Sequence, residues 1–228
     1  MPRVDMDYSS VNRSTAEARS FYNRISPYYD TLAASEKKYI RAGLRLLDPN
    51  PGDRILEIGS GTGFALVEIA RELKDKGHAY GIDISPGMIH RAQNKLREQR
   101  VEKIVSLILD DAHVLPFESQ SMNAVFMSFT LELFHRQQIP RVLKECHRVV
   151  KPDGRMCVVS LSKGETKTFM SQVYEWLHDR FPRILDCRPI PVEALLKAHG
   201  FQIQEAIHTA MWGLPISINL VSKLDQQT

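Results

Sequence analysis

Apolar positions along this chain follow two rhythms that alternate through its middle. Short apolar runs at Ile55–Ile58, His78–Ser85, Ile104–Leu109, Met122–Leu131 and Arg155–Leu161 predict five strands. Between them, apolar residues recur every three or four positions. That spacing predicts a helix over Phe64–Lys76, with apolar residues at 66, 67, 69, 70 and 73 and Gly77 ending it. A second helix is predicted over Pro86–Gln99, its proline in the first turn, and a third over Ile139–Val150, stopped by Lys151-Pro152-Asp153-Gly154. Strands that alternate with helices require parallel crossovers, so helices should cover both faces of one sheet.

The ends of the chain depart from the alternation. A helical stretch, Pro191–His199, is capped by Gly200, and two strand-like runs follow at Phe201–Ala210 and Pro215–Ser222. Only Met211-Trp212-Gly213-Leu214 joins those runs, too short a link for anything but an antiparallel hairpin. Ser14–Leu47 reads as two helices broken at Ser26-Pro27. Lys167–Arg183 carries Phe169, Met170, Val173, Tyr174, Leu177 and Phe181 on one helical stripe, which either packs on the core or walls a bulky apolar acceptor. The expected fold is α/β and doubly wound, a Rossmann-like, mostly parallel seven-stranded sheet with an antiparallel C-terminal hairpin strand. Residues 1–50 form an N-terminal helical cap or lid, and 51–228 form one compact ligand-binding domain. No internal repeat or low-complexity segment interrupts it.

Composition narrows the classes without naming one. The chain has 228 residues, 43% hydrophobic and 25% charged, which suits one globular domain and excludes disorder. A net charge of +3 with scattered basic residues argues against a nucleic-acid partner. Lys37, Arg41 and Arg45 share one helix face, read as a solvated face or as a weak contact with anionic lipid. Cys146, Cys157 and Cys187 show no CxxC pair and no metal-ligand spacing, so no metal is expected and the thiols read as reduced, in a cytoplasmic compartment. The first residues lack the apolar stretch of a signal peptide, and no run reaches the ~18–20 apolar residues of a membrane span. Peripheral membrane contact stays open, as does the choice between monomer and homodimer.

The chemistry concentrates at the first strand exit. Gly59, Gly61 and Gly63 follow at every second position, so a ligand can lie on backbone. This spacing is GxGxG: Phe64 stands where a dinucleotide fingerprint wants its third glycine, and Glu57 suits a cationic ligand better than a pyrophosphate. Both features disfavour a nicotinamide dehydrogenase. Asp83 comes twenty positions after Gly63, the distance at which a carboxylate reaches a ribose diol, and Asp110-Asp111 close the third strand. Asp111 can accept from an adenine amino group, with the Ala112 N–H donating to the ring. The helix starting near Phe64 offers its positive end to a ligand carboxylate. The bland readings are a tight turn for the glycines and helix caps for the acids. A cation, a carboxylate, a ribose and an adenine together describe S-adenosylmethionine.

The blocks ILEIGSGTG (55–63), GIDISPGMI (81–89), DDAHVLPFESQSMNAVFMSF (110–129) and LKECHRVVKPDGRMCVVSLS (143–162) resemble class I S-adenosylmethionine-dependent methyltransferases, in the branch around the ubiquinone and menaquinone C-methyltransferases. The resemblance implies that Glu57, Gly59, Gly61, Asp83, Asp111 and Ala112 contact the cofactor. The expected contacts extend to Ser60, Thr62, Gly63, Ile84, Met88, Asp110 and Ser128. Tyr28-Tyr29-Asp30 resembles the family's N-terminal segment that folds over the cofactor, which adds Tyr29 and, from the preceding helix, Tyr22. The implied activity is methyl transfer to a small, hydrophobic or lipid-like acceptor, quinol-like C-methylation first, with S-adenosylhomocysteine as product. The segment FPRILDCRPIPVEALLKAHGF lacks the branch's glycine- and tyrosine-rich pattern, and AMWGLPISINLVSK does not match it either. N- or O-methylation of a phospholipid amine or other small metabolite therefore stays open, as does a non-catalytic, cofactor-binding regulatory subunit. His135, past the fourth strand, and Glu132 are the candidate catalytic bases. His113 reads as structural.

Overall fold

The computed structural model describes residues 14–163 and 188–224. The helical stripe expected over Lys167–Arg183 and Cys187 lie outside the described residues. Seven strands form one sheet: β1 (Arg54–Ile58), β2 (His78–Asp83), β3 (Val105–Leu109), β4 (Met122–Ser128), β5 (Val150–Leu161), β6 (Phe201–Met211) and β7 (Leu214–Lys223). Their order is β3-β2-β1-β4-β5-β7-β6, parallel except for β7, which runs antiparallel to both β5 and β6. The direction of winding reverses between β1 and β4. At such a switch point the loops leaving the strands part and open a crevice.

Helices cover both faces. Among the described residues they are α1 (Thr15–Ile25), α2 (Tyr29–Leu32), α3 (Lys37–Leu47), α4 (Phe64–Leu73), α5 (Pro86–Glu98), α6 (Ile139–Val149) and α7 (Val192–Ala198). The two-residue period of the strands divides the core between the faces. Leu56, Ile58, Val125 and Val158 pack with α6 and α7, whereas Ile55, Ala124, Phe126 and Val159 pack with α3 and α4. Cys146 and Cys157 are buried thiols in these two layers. No helix among the described residues is long and apolar enough to cross a membrane.

Several boundaries differ from those the sequence predicts. Helix α4 ends at Leu73, three residues early, because Lys74 turns left-handed at φ 58°. Gly77 serves a different contact: a Cβ there would stand 2.5 Å from the Asp53 carbonyl. Lys151-Pro152-Asp153-Gly154 lies inside β5 rather than before it. Val150 pairs with Met122 and Arg155 with Ala124, so the residues between form a wide bulge. Strand β4 stops at Ser128, since Phe129 adopts φ 48° and a 3₁₀ turn covers Leu131–Leu133. In the hairpin, Trp212 (φ 52°) and Gly213 (φ 81°) are both left-handed, as a two-residue turn of type I′ requires.

The cap is more segmented than two helices. Ser14 and Glu17 form a capping box at the start of α1, and 3₁₀ turns at Ser26–Tyr28 and Ala34–Glu36 flank α2. Helix α1 rests on the start of α5, where the Gly87 N–H donates to Asn23 Oδ1 at 2.8 Å. A Cβ on Gly87 would approach that oxygen to 2.6 Å, so the close crossing needs the glycine. Arg41 is not merely solvated: its Nε lies 3.3 Å from Glu68 Oε2 on α4.

Candidate active site

The crevice predicted by the topology is a cleft at the carboxyl ends of β1, β2, β3 and β4, roofed by α1 and α2, with about 750 Å³ of empty space counting the part open to solvent. The cleft gathers Tyr22, Tyr29, Gly59, Gly61, Asp83, Ile84, Met88, Asp110, Asp111, Ala112 and Ser128 from six stretches of sequence. Glu57, Ser60 and Thr62 line an adjoining smaller lobe that shares Tyr29, Gly59, Gly61 and Ser128 with the main cleft.

The glycine loop is held against β2, with the Gly59 and Ser60 N–H groups donating to the Ile82 carbonyl at 2.9 and 3.1 Å. Its three glycines do different work. A Cβ on Gly59 would collide with the Thr130 side chain, so this glycine admits the loop after β4. On Gly61, at φ 51°, the nearest atom to a Cβ would be Tyr29 Cε1 at 3.9 Å, which leaves the backbone open to the cleft. Gly63 caps α4 at φ 79°, and a Cβ there would stand 3.1 Å from the Ala92 Cβ on α5. The structure thus places Gly63 at a helix–helix contact outside the cleft lining.

Asp83 is fixed by backbone, its Oδ2 accepting from the Gly61 N–H at 2.8 Å and its Oδ1 from the Ser85 N–H at 2.8 Å. Each carboxylate oxygen keeps a second lone pair for a ligand hydroxyl. Burial pushes the Asp83 carboxyl above its usual range, against those two N–H bonds. Glu57 is 2% exposed, and its Oε2 has no hydrogen-bond partner. Burial, reinforced by the charge of Asp83, raises the Glu57 carboxyl well above the carboxylate range while the Lys95 charge opposes it.

At the end of β3, the Asp111 N–H donates to Asp110 Oδ1 at 2.8 Å and Asp111 Oδ1 accepts from the His113 N–H at 3.2 Å. His113 Nδ1 also pairs with that oxygen, and the imidazole meets Phe134 edge-on at 5.8 Å. The following loop is clamped from α6: the Leu115 N–H donates to Glu145 Oε2 at 2.8 Å, while Arg148 donates to the carbonyls of Phe117 and Leu115.

The two candidate bases stand elsewhere. Glu132 is 1% exposed and turned toward β5, accepting from the Leu161 N–H at 3.0 Å and from Ser160 Oγ–H at 2.9 Å. Burial raises its carboxyl to about 7. His135 is half-buried, its Nδ1 accepting from the Gln137 N–H at 3.3 Å. Neither lines the cleft. Among the described residues no group of three or more His, Cys, Asp or Glu could hold a metal ion.

Sequence reasoning missed Thr15, Phe129, Thr130, Leu133 and Phe134, which also line the cleft. It also missed Glu36, in the smaller lobe, and the anchoring of Asp30 by Lys95. Phe129–Leu131 read as the tail of a strand. The other residues carry no spacing signal at all.

Residues 55–154 match the family model for the methyltransferase domain. The chain is 30% identical over 173 residues to the demethylmenaquinone methyltransferase of Thermotoga maritima, an alignment covering 72% of this chain and 70% of that relative. It is 26% identical over 170 residues to the 2-phytyl-1,4-naphtoquinone methyltransferase of Trichormus variabilis, covering 72% of this chain and 73% of the relative. Among solved structures, the magnesium protoporphyrin IX methyltransferase of Synechocystis, with bound S-adenosylhomocysteine, superposes with a TM-score of 0.74 at 16% identity. That superposition covers 92% of this chain and all of the other, and it speaks to the fold alone. The chain belongs to the class I S-adenosylmethionine-dependent methyltransferases.

Proposed function

We propose that this protein transfers a methyl group from S-adenosylmethionine to a small hydrophobic acceptor, a quinol-like ring carbon first among them. The observation that carries the proposal is the mixed lining of the cleft. Polar and backbone-rich positions, Gly61, Asp83, Asp111 and Ala112, share it with the apolar Phe129, Leu133 and Phe134. The open backbone at Gly61 and the unpartnered Glu57 Oε2 fit a ligand that lies on the loop and carries a cation. The naphtoquinone and menaquinone names of the relatives support a quinol acceptor.

When bound, S-adenosylmethionine supplies a methyl carbon already activated by its sulfonium leaving group. The protein's part is then to hold, align and dry. Asp83 would hold the ribose hydroxyls, Asp111 and the Ala112 N–H the adenine, and Glu57 the cationic end. Tyr22 and Tyr29, brought down by the cap, would exclude water. The apolar lining would orient a flat acceptor toward the loop. On a quinol ring carbon the new bond forms as the methyl–sulfur bond breaks, and that carbon then gives up its proton. Neither His135 nor Glu132 lines the cleft to take it, so positioning of the acceptor carries the reading.

Calorimetric titration with S-adenosylmethionine, S-adenosylhomocysteine and NAD tests the cofactor. Binding of the first two alone is expected, and binding of NAD alone would overturn the proposal. Turnover with a methyl-labelled cofactor over quinols and phospholipid amines then tests the acceptor. Label on the quinol carbon supports the first choice. Label on the amine would move the reading to N-methylation, and tight cofactor binding without any transfer would make this a binding subunit.

A further inference from the structure

Beside the main cleft, the smaller lobe sets two polar groups that the methyl-transfer reading leaves unused, Ser60 and Glu36, next to the Glu57 carboxylate assigned to the cationic end. It is walled by Glu57 and Ser60 from the sheet side and by Glu36 from the cap. Glu57 is 2% exposed and Ser60 4% exposed, yet Glu57 Oε2 and Ser60 Oγ have no hydrogen-bond partner. Buried polar atoms left unmet are costly, and they mark where a ligand's donors belong.

We infer that Glu36, carried by the cap, is a second carboxylate for the ammonium of the cofactor's amino-acid end, so that the cap closes on a ligand that bears that ammonium. The inference rests on reading the adjoining cleft as an S-adenosylmethionine site. Glu36 ends the short turn between α2 and α3, whereas Glu57 ends β1. A cation held by both would join the cap to the sheet. An ammonium brings three donors, enough for Glu36, Glu57 and the Ser60 hydroxyl together.

The surrounding charges favour that guest. Glu132 faces Glu36 from the turn after β4, and Asp83 faces Glu57 from β2. Of the nearby cations, Lys95 on α5 is paired with Asp30 on α2, and Lys37 on α3 lies over the Phe64 ring at 5.4 Å. Burial and the charge of Glu132 push the Glu36 carboxyl up to about 8, which shows how poorly this place tolerates an uncompensated negative charge.

The test is calorimetry of the wild type and of Glu36→Gln with two ligands. S-adenosylhomocysteine carries the ammonium; methylthioadenosine keeps the nucleoside and thioether and lacks the amino acid. Glu36→Gln is expected to weaken S-adenosylhomocysteine about tenfold and to leave methylthioadenosine within about twofold. Equal loss for both ligands, or no loss for either, would overturn the inference. Equal binding of the two by the wild type would overturn it as well, while leaving the cofactor site in place. Binding of neither by the wild type would instead sink the cofactor reading beneath it. Should Glu36→Gln melt far below the wild type, Glu36→Met removes the carboxylate at similar volume and carries the same comparison, and a loss confined to S-adenosylhomocysteine is again the expected result.

Discussion

The Lys95 ammonium stands 2.8 Å from Asp30 Oδ2 and 3.0 Å from Oδ1, and it also donates to Thr62 Oγ1 at 2.9 Å. The Thr62 hydroxyl in turn donates to Asp30. One point therefore ties α2 of the cap to α5 and to the glycine loop beneath. Burial pushes the Asp30 carboxyl up, but the bonds from Lys95 and Thr62 and the Lys95 charge outweigh it, and the carboxyl lies below its ordinary value. Asp30 is 48% exposed, so solvent screens the pair and its contribution to global stability stays under about 1 kcal/mol.

Its effect is expected in cap motion instead. Lys95→Met keeps the aliphatic stem and removes the ammonium. Amide exchange over residues 29–36 should quicken several-fold and S-adenosylhomocysteine should dissociate faster, with a melting temperature close to the wild type. Unchanged exchange in that segment would show that the contact does not hold the cap.

Gly61 and Gly63 differ in what a side chain would meet. A side chain at Gly61 enters the open cleft, so Gly61→Val should nearly abolish cofactor binding. Because φ 51° also strains a β-branched residue, its affinity is measured only where denaturant melts show the variant folded. At Gly63 a Cβ presses on Ala92 at 3.1 Å, and the left-handed φ of 79° adds strain. Gly63→Ala should therefore cost stability, on the order of 1–2 kcal/mol, whatever it does to affinity. Denaturant melts and calorimetry on both variants check this. Gly61→Val binding normally would end the backbone-cradle account.

Asp83→Ala tests the ribose assignment. It removes the acceptors for the Gly61 and Ser85 N–H groups as well as those offered to a ligand. Cofactor affinity should fall by about 1–3 kcal/mol. Asp83→Asn keeps one acceptor oxygen and should lose less. If the two variants lose equally, the carboxylate is not reading paired hydroxyls.

Much of this site was legible because backbone requirements leave marks in sequence. Only small residues at 59, 61 and 63 let β1 turn into α4, and a strand of five or six apolar residues has few other uses. The Met211–Leu214 link forced the hairpin by length alone. What stayed hidden depends on contacts between distant segments. Glu36 reads as one more polar residue on a helix start until the fold sets it beside Glu132. Lys95 reads as a solvated position on the polar face of α5 until Asp30 arrives from 65 residues away. The Lys-Pro-Asp-Gly run looks like a loop because its composition is that of a turn. Pairing of β4 with both Val150 and Arg155 makes it a bulge inside the strand.

Glu132 gives the fold a dependence on pH whose sign can be stated. Burial raises its carboxyl from 4.5 to about 7, against the bonds from the Leu161 N–H and Ser160 hydroxyl. Burial and the neighbouring Glu132 raise Glu36 to about 8. Both acids hold protons in the folded chain that the unfolded chain has already released. Their contribution is thus fully present below about pH 4.5 and is lost as pH rises through 7 and then 8. For Glu132 the loss is at most about 3 kcal/mol. Glu57 and Asp83 are raised as well and tilt the curve the same way, so the informative quantity is a difference between variants. Glu132→Gln can still accept from Leu161 and donate to Ser160, and it carries no charge at any pH. It also removes the like charge beside Glu36. Between pH 5 and pH 9 the wild-type melting temperature should fall more steeply than that of Glu132→Gln, and the two curves should diverge most above about pH 7. Parallel curves would mean that Glu132 titrates alike in the folded and unfolded chain, and that the acid pair beneath the cap places no limit on alkaline stability.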